Sequence, residues 1–392
     1  MSAPAPERPL RVDLVQPTLA KYRVAPFREL ARRPNIDVHV WFASDPDLPN
    51  VEPDGFATSP ASIRRLKVGP RTISYQPTQW HLAKKSDHPS RDRVLMLLWD
   101  VQYATLVPAI LRARRNGIAT VLWGHGFGKN ESPAKQRIRD RVGKLADTVV
   151  VYDDWAAERL IERGFDADRV FVARNTIDVA DVQQRAASLT ANDVTAFRQR
   201  IGIGDDPMVL LVSRAMPDRR ADLLLEAAAT LRASEHPDLR VGLVGAGWAD
   251  VVASDLTRLG LGGAVIMPGA VYDDAELALW FAASSAVVLP EEAGLAVVDA
   301  MANGRPVITH DEVAAHAPEG RNVRHDMTGL LYRRHDVADL ANKTGQLLSD
   351  PSLADRLGKQ AFADVDKRLS VATMVDGHVA AITAARRRCD AR

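Results

Sequence analysis

Cysteine is all but missing from this chain: Cys389, in a basic tail, is the only one in 392 residues. That excludes a disulfide framework and a cysteine-rich metal centre, and it fits a reducing compartment. Charge of one sign is missing too. With 51 Lys and Arg against 50 Asp and Glu the net charge is +1, which argues against wholesale nucleic-acid binding. No apolar run approaches the length that crosses a bilayer. The Pro/Ala-rich start, Met1 to Pro9, leads at once into the strand-like Leu10 to Val15 without the apolar core of a signal sequence. The expected location is therefore cytoplasmic, with room for peripheral contact at the inner membrane face. Internal repeats and low-complexity tracts are lacking as well.

What is present is alternation. Apolar runs of strand length (Val12 to Val15, Val38 to Phe42, Val94 to Leu98, Thr120 to Trp123, Thr148 to Val151, Val170 to Ala173) are separated by helical patterns such as Phe27 to Arg33, Val101 to Arg115 and Trp155 to Arg163. This is the signature of a doubly wound parallel sheet. The pattern lapses from about Val179 to Pro207, then restarts with Met208 to Val212, Val241 to Val244, Val265 to Met267, Ala286 to Leu289 and Pro306 to Thr309. A chain of this length exceeds what one core organises. The expectation is an α/β protein of two Rossmann-like doubly wound parallel-sheet domains facing a cleft. They span residues 1–190 and 191–370, with a C-terminal helix and basic tail at 371–392 packing back across that cleft. Residues Ser59 to Ser90 have weak periodicity and read as a loop or hairpin insertion.

Ligands of open α/β sheets bind at the carboxyl ends of strands, and the candidate residues fall there. After Val287, Val288 and Leu289, Pro290 ends a strand and Glu291-Glu292-Ala293-Gly294-Leu295 forms an acidic, glycine-containing loop ahead of an apolar helix expected to begin near Ala293. Glu291 and Asp299, eight positions apart, could then face one crevice, while the N–H groups near Gly294 and Leu295 offer an anion site. Carboxylates beside an anion site suit a sugar nucleotide. After Met208 to Val212, the loop Ser213 to Asp222 carries Arg214 and Arg219, fixed cationic forks suited to a diphosphate. A basic pair alone reads more often as a solvated surface loop, and the acidic loop downstream reverses that. Gly245-Ala246-Gly247 fails the dinucleotide fingerprint, because Asp250 stands where its third glycine is due.

These segments together resemble the retaining glycosyltransferases of the GT-B fold, family 4. The resemblance rests on Ser213 to Leu225, Gly245 to Gly247, Met267 to Leu277, Leu289 to Thr309, Pro318-Glu319 and Thr328 to Leu331, and on Arg174 to Asp178 as a segment leading to an interdomain linker. It implies that Arg214 and Arg219 grip a donor diphosphate, that Glu291 contacts the transferred sugar and that Asp299 holds the nucleotide ribose. It also implies that amides around Ala293, Gly294 and Leu295 meet phosphate, that Gly245 and Gly247 lie beside the ligand and that Val271, in the loop Gly269 to Tyr272, borders the base. Departures from the family pattern are Asp299 for a usual glutamate, Glu292-Ala293 for Gly-Phe, Arg219 for the commoner lysine and Arg220 for glycine.

In the first domain, Tyr22 to Phe27 is similar to a Tyr-Arg-x-x-Pro-Phe passage of bacterial polysaccharide-type transferases, so Tyr22 and Arg23 are acceptor candidates, with a helix-cap region as the equal alternative. His125, between Gly124 and Gly126 at a strand end, reads as a loop histidine in isolation. The resemblance places it beside the donor sugar. Lys135 to Leu145 is a basic helix whose ordinary reading is a solvated face and whose functional reading is contact with anionic lipid.

The resulting expectation is a metal-independent retaining glycosyltransferase with no cofactor, taking a nucleotide-diphosphate sugar as co-substrate and passing the sugar to a glycan, lipid-linked or small-molecule acceptor. The competing readings are a nucleotide-sugar epimerase or hydrolase on the same scaffold and a non-catalytic sugar-nucleotide-binding protein.

Overall fold

A computed structural model describes residues 8–44, 50–68, 71–128 and 131–392; the extreme N-terminus, residues 1–7, lies outside them. The chain divides into two compact units, Met1–Ile177 with Val371–Arg392, and Asp178–Ser370.

The first unit runs β1 (Leu10–Gln16), α1 (Lys21–Ala31), β2 (Ile36–Phe42), β3 (Ala57–Pro60), β4 (Arg64–Val68), β5 (Arg71–Tyr75), α2 (Pro77–Leu82), β6 (Arg93–Leu98), α3 (Leu106–Arg115), β7 (Ala119–Trp123), α4 (Pro133–Gly143), β8 (Thr148–Val151), α5 (Asp154–Glu162) and β9 (Val170–Val172). Seven strands form one parallel sheet in the order β3-β2-β1-β6-β7-β8-β9, and β4 pairs β5 as a separate antiparallel hairpin. The near-continuous apolar strands reflect burial on both faces. Period-two alternation sends Val12, Leu14, Val94, Met96, Val121 and Trp123 to one core and Val15, Leu95, Leu97, Leu122, Val149 and Val151 to the other.

The second unit begins earlier than strand periodicity alone suggests. The passage where that periodicity lapses folds into two helices, α6 (Val179–Ser188) and α7 (Ala191–Arg200). Their starts are written locally: Asp178 caps α6, and Thr190 with Asp193 forms a capping box on α7. α6 is tied into the second unit by Arg185 to Asp274 at 2.7 Å and by Gln183 to the carbonyl of Phe362 at 3.0 Å.

There follow β10 (Met208–Val212), α8 (Ala221–Arg232), β11 (Arg240–Val244), α9 (Trp248–Leu259), β12 (Val265–Gly269), α10 (Asp274–Ala283), β13 (Ala286–Val288), α11 (Ala296–Ala302), β14 (Val307–His310), β15 (Gly329–Tyr332), α12 (Val337–Ser349) and α13 (Pro351–Leu369). The sheet order is β12-β11-β10-β13-β14-β15, all parallel.

The last helix, α14 (Val371–Asp390), returns to the first unit. It buries Met374, Val375, Ala381, Ile382 and Ala385 in the core that also holds Val121 and Trp123. Each of its larger apolar side chains contributes about 1.5–3 kcal/mol. Close approach to β9 explains Gly377 inside a helix: a Cβ there would stand 2.1 Å from the carbonyl oxygen of Val172.

Candidate active site

In the second unit, strand order fixes which loops are neighbours. The chain moves outward from β10 to β11 and β12, then jumps back so that β13 pairs with the other side of β10. A reversal of this kind opens a crevice at the carboxyl ends of the two central strands. The loop after β10 carries Arg214, Arg219 and Arg220, and the loop after β13 carries Glu291 and Glu292. They are joined directly, because Arg219 donates Nη1 to the carbonyl oxygen of Glu292 at 2.8 Å. The Nε of Arg219 is buried without a hydrogen-bond partner among the described residues. Arg214, in the same loop, is exposed.

Glu291 is buried, at 7% exposure. The turn that presents it is pinned from both sides: Thr309 donates its hydroxyl to the carbonyl of Leu289 at 2.8 Å, and Tyr332 donates its phenol to the carbonyl of Pro290 at 2.7 Å. Both carboxylate oxygens are occupied. Arg334 grips them as a fork, with Nε to Oε2 at 3.2 Å and Nη2 to Oε1, and His335 Nε2 stands 3.2 Å from Oε2. Burial by itself would raise the Glu291 pKa, but the bonds and charge of Arg334, with His310 and His335, hold it below the ordinary carboxylate value. The Arg334 pKa is raised in turn, by Glu291 first and by Glu312.

Sequence reasoning missed Arg334 and His335. A signal was available, since Arg333-Arg334-His335 follows an apolar strand just as the Arg214 loop does. His310 ends β14 and its ring stacks on that of His316 at 3.7 Å between centroids. The Glu312 N–H donates to His310 Nδ1 at 3.2 Å, leaving Nε2 buried without a partner among the described residues. Burial, then the neighbouring His316, lowers the His310 pKa to about 4, so the stack is neutral at ordinary pH. Arg220, the departure from glycine, adopts φ +49°, a left-handed conformation that an L side chain enters at a cost. Its guanidinium is held by Asp222 at 2.8–3.0 Å, which raises its pKa, and Glu291 and Tyr332 also act on it electrostatically.

The helix after the acidic loop starts later than Ala293, at Ala296, with Leu295 as its cap. The passage through Ala293 and Gly294 is irregular, and Ala293 is fully buried. Asp299 therefore sits in the first turn of α11 rather than two turns along. Gly245 and Gly247 brace the neighbouring loop. A Cβ at Gly245 would lie 1.8 Å from the Ser213 carbonyl oxygen, because Ala215 donates its N–H to Ala246 O at 2.9 Å and Trp248 donates its indole N–H to Ser213 O at 2.8 Å. Val271 lies after β12, beside the exposed Tyr272.

In the first unit, Arg23 and His125 share a neighbour that the sequence did not single out. Tyr152, at the end of β8, accepts from Arg23 Nη2 at 3.1 Å, and its ring lies 4.8 Å from that of His125. His125 is exposed. Arg23 is not an exposed cation: it is 6% exposed, with its guanidinium 4.2 Å over the ring of Trp123 and 4.8 Å over Tyr22, and its Nη1 has no hydrogen-bond partner among the described residues. In α4 the basic run is partly consumed. Arg139 is buried on Glu131 and on the carbonyl of Trp99, and Lys135 pairs with Glu131 at 2.9 Å.

Two family models match: "Glycosyltransferase Family 4" over residues 27–181 and "Glycosyl transferases group 1" over residues 193–364. A D-inositol 3-phosphate glycosyltransferase of Nocardioides sp. is 31% identical over 257 residues, 60% of this chain and 53% of the relative. The protein of that name from Streptomyces avermitilis is 30% identical over 281 residues, 67% of this chain and 58% of the relative. The matches thus span only a little over half the length of these curated relatives. Among solved structures, Anabaena HepE in complex with UDP and glucose superposes with TM-score 0.70 at 16% identity, covering 96% of this chain and all of that one. Sucrose-phosphate synthase of Thermosynechococcus elongatus superposes with TM-score 0.67 at 18% identity, covering 97% and 100%. Likeness at such identity establishes the two-domain α/β architecture.

Proposed function

The chain belongs to glycosyltransferase family 4, with the GT-B fold, and from that premise we propose that it moves a sugar, with retention of anomeric configuration and without a metal, from a nucleotide-diphosphate donor to a hydroxyl acceptor. The observation that carries this reading is the junction of the arginine loop and the acidic loop at the strand-order reversal, closed by Arg219 on the carbonyl of Glu292. Arg214 and Arg219 are assigned to the diphosphate. Negative charge grows there as the glycosidic bond breaks, so fixed guanidinium groups stabilise the transition state more than the bound donor.

Glu291 is assigned to orienting the sugar. A carboxylate whose two oxygens are already gripped by Arg334 and His335, and whose pKa is lowered, is a weak nucleophile. That favours attack by the acceptor on the same face from which the diphosphate departs. Asp299 with Ala293, Gly294 and Leu295 is assigned to the nucleotide, and Val271, Gly245 and Gly247 to the borders of its site. The first unit's group of Tyr22, Arg23 and His125 is assigned to the acceptor and the transferred sugar. UDP is the first nucleotide to test, since the HepE structure holds it.

The test is calorimetric titration with UDP and other nucleoside diphosphates, beside transfer assays with UDP-sugars and acceptors that include D-inositol 3-phosphate. Arg219→Ala is expected to weaken diphosphate binding by about tenfold to a hundredfold, and Glu291→Gln to leave binding within a few-fold while transfer falls by about a hundredfold. Transfer by Arg219→Ala at the wild-type rate, or rapid epimerisation of the donor without acceptor, overturns the assignment.

A further inference from the structure

The first unit carries a surface that the donor and acceptor assignments leave unused. Between Arg64 and Arg115 the sequence holds eleven Lys and Arg against three Asp, in a chain whose net charge is +1. This basic excess coincides with misplaced apolar side chains. In the β4–β5 hairpin Leu66 pairs with Ile73, and Tyr75 pairs with Arg64, so these four share one face by period two. Ser74, on the opposite face, is the buried residue, and its backbone bonds to Gln102 and Ala104 of the body. Arg65 and Lys67 on that opposite face are exposed as well. The apolar face points to solvent, with Leu66 at 62% exposure and Ile73 and Tyr75 at 40%.

The hairpin leads directly into α2, and there Trp80 and α3 frame an open groove of about 810 Å³. Its apolar floor includes Val107 and Leu111, and its rim is Lys84, Lys85, Arg112 and Arg115. Among the described residues no acidic side chain lines it. Arg112 lies 4.2 Å over the Trp80 ring, so that ring is held half exposed beside the cations. Exposed aliphatic and aromatic groups ringed by lysine and arginine are what an interfacial surface needs. The apolar groups enter the headgroup boundary while the cations meet lipid phosphates.

We propose that the β4–β5 hairpin and the α2–α3 groove dock the protein on an anionic lipid bilayer. No helix among the described residues is long and apolar enough to cross a membrane, so the contact is peripheral. A second copy of this chain is the poorer occupant, because a two-fold contact through this patch sets like charges against each other. α4 is the poorer docking helix, since Glu131 and the body of the unit take up Lys135 and Arg139.

The experiment is flotation of the full chain with phosphatidylcholine vesicles, with and without phosphatidylglycerol, at low and high salt. Comparison is made between wild type, Leu66→Ser/Ile73→Ser, Lys84→Glu/Lys85→Glu and, on α4, Arg137→Glu/Arg141→Glu. Thermal melts verify folding of each, and UDP titration is run in parallel, so that failure of the donor assignment and failure of docking are read separately. The expected result is binding to the anionic vesicles only, weakened by salt, reduced about tenfold or more by the hairpin and groove variants and unchanged in the α4 variant. The proposal is overturned by absent binding of the wild type, by equal binding of neutral vesicles, or by hairpin and groove variants that bind like wild type. Loss of binding confined to the α4 variant overturns it as well. So does a dimer in sedimentation that the hairpin variant dissolves, or saturation by dissolved glycerol phosphate as tight as binding to vesicles.

Discussion

Arg334→Met tests whether the candidate site is built around a held carboxylate. The substitution keeps an unbranched apolar stem and removes the guanidinium that grips both oxygens of Glu291. In the wild type Glu291 is 7% exposed, with His335 Nε2 at 3.2 Å. Removing one partner of a buried ion pair costs about 3–5 kcal/mol. Arg334 is one-quarter exposed, and solvent screening brings the expectation to about 2 kcal/mol at neutral pH.

The pH dependence supplies the sharper check. In the wild type the carboxyl titrates below its ordinary 4.5, so its contribution is complete above pH 4.5 and is lost as pH falls through the lowered native value. In Arg334→Met the burial that dominates this group is no longer opposed by the guanidinium, and the pKa moves up. The sign then reverses for this group: the variant's deficit relative to the wild type shrinks between pH 7 and pH 5, on top of the loss that buried His378 imposes on both. Urea unfolding at both pH values measures this, and Glu291→Gln in the Arg334→Met background is expected to regain about 1 kcal/mol through coupling of the two sites. A loss under about 0.5 kcal/mol, or parallel pH profiles for variant and wild type, refutes the reasoning.

Two further outcomes follow from the same geometry. Gly245→Ala places a Cβ 1.8 Å from the Ser213 carbonyl oxygen, and relieving that overlap moves the Arg214 loop by roughly 1.5 Å; misplacement on the order of an ångström costs up to about a hundredfold in rate, so UDP affinity and transfer are both expected to fall in calorimetry and kinetics. His378, fully buried on α14 against Trp123, has its pKa lowered from 6.5 to about 4, by burial first and then by the charge of Arg23. The unfolded chain takes up that proton first, so stability is full above pH 6.5 and falls as pH drops toward 4, by roughly 3 kcal/mol in total; His378→Phe is expected to flatten this slope in thermal melts taken across that range.

Much was legible because it is local. Buried parallel strands announce themselves as short apolar runs, and Pro290 after Val287 to Leu289, or Arg214 after Met208 to Val212, marks a strand's carboxyl end within a few residues. The start of α11 was less legible, because nothing in Ala293 or Gly294 opposes a helix strongly and tertiary packing of Ala293 decides it. The boundary near Asp178 was obscured for a related reason. α6 and α7 have weak strand signals but good caps, and tertiary contacts, those with Asp274 and Phe362 among them, assign α6 to the second unit.

By itself the sequence determined the α/β class, the strand-end position of the arginine loop, the acidic loop and His125, and the chemical type of each candidate residue. Tertiary structure alone decided which charges meet. It set Arg334 on Glu291 across 43 positions, brought the Ser213 carbonyl to where only a glycine fits, turned Arg23 inward beneath Trp123 and Tyr152, and returned α14 to the first unit through Gly377. The physical reason is that periodicity, capping and turn chemistry act over a few residues and leave their mark in local order. Charge pairing and close approach depend on which strands lie side by side, and that is set by the order in which the whole sheet assembles.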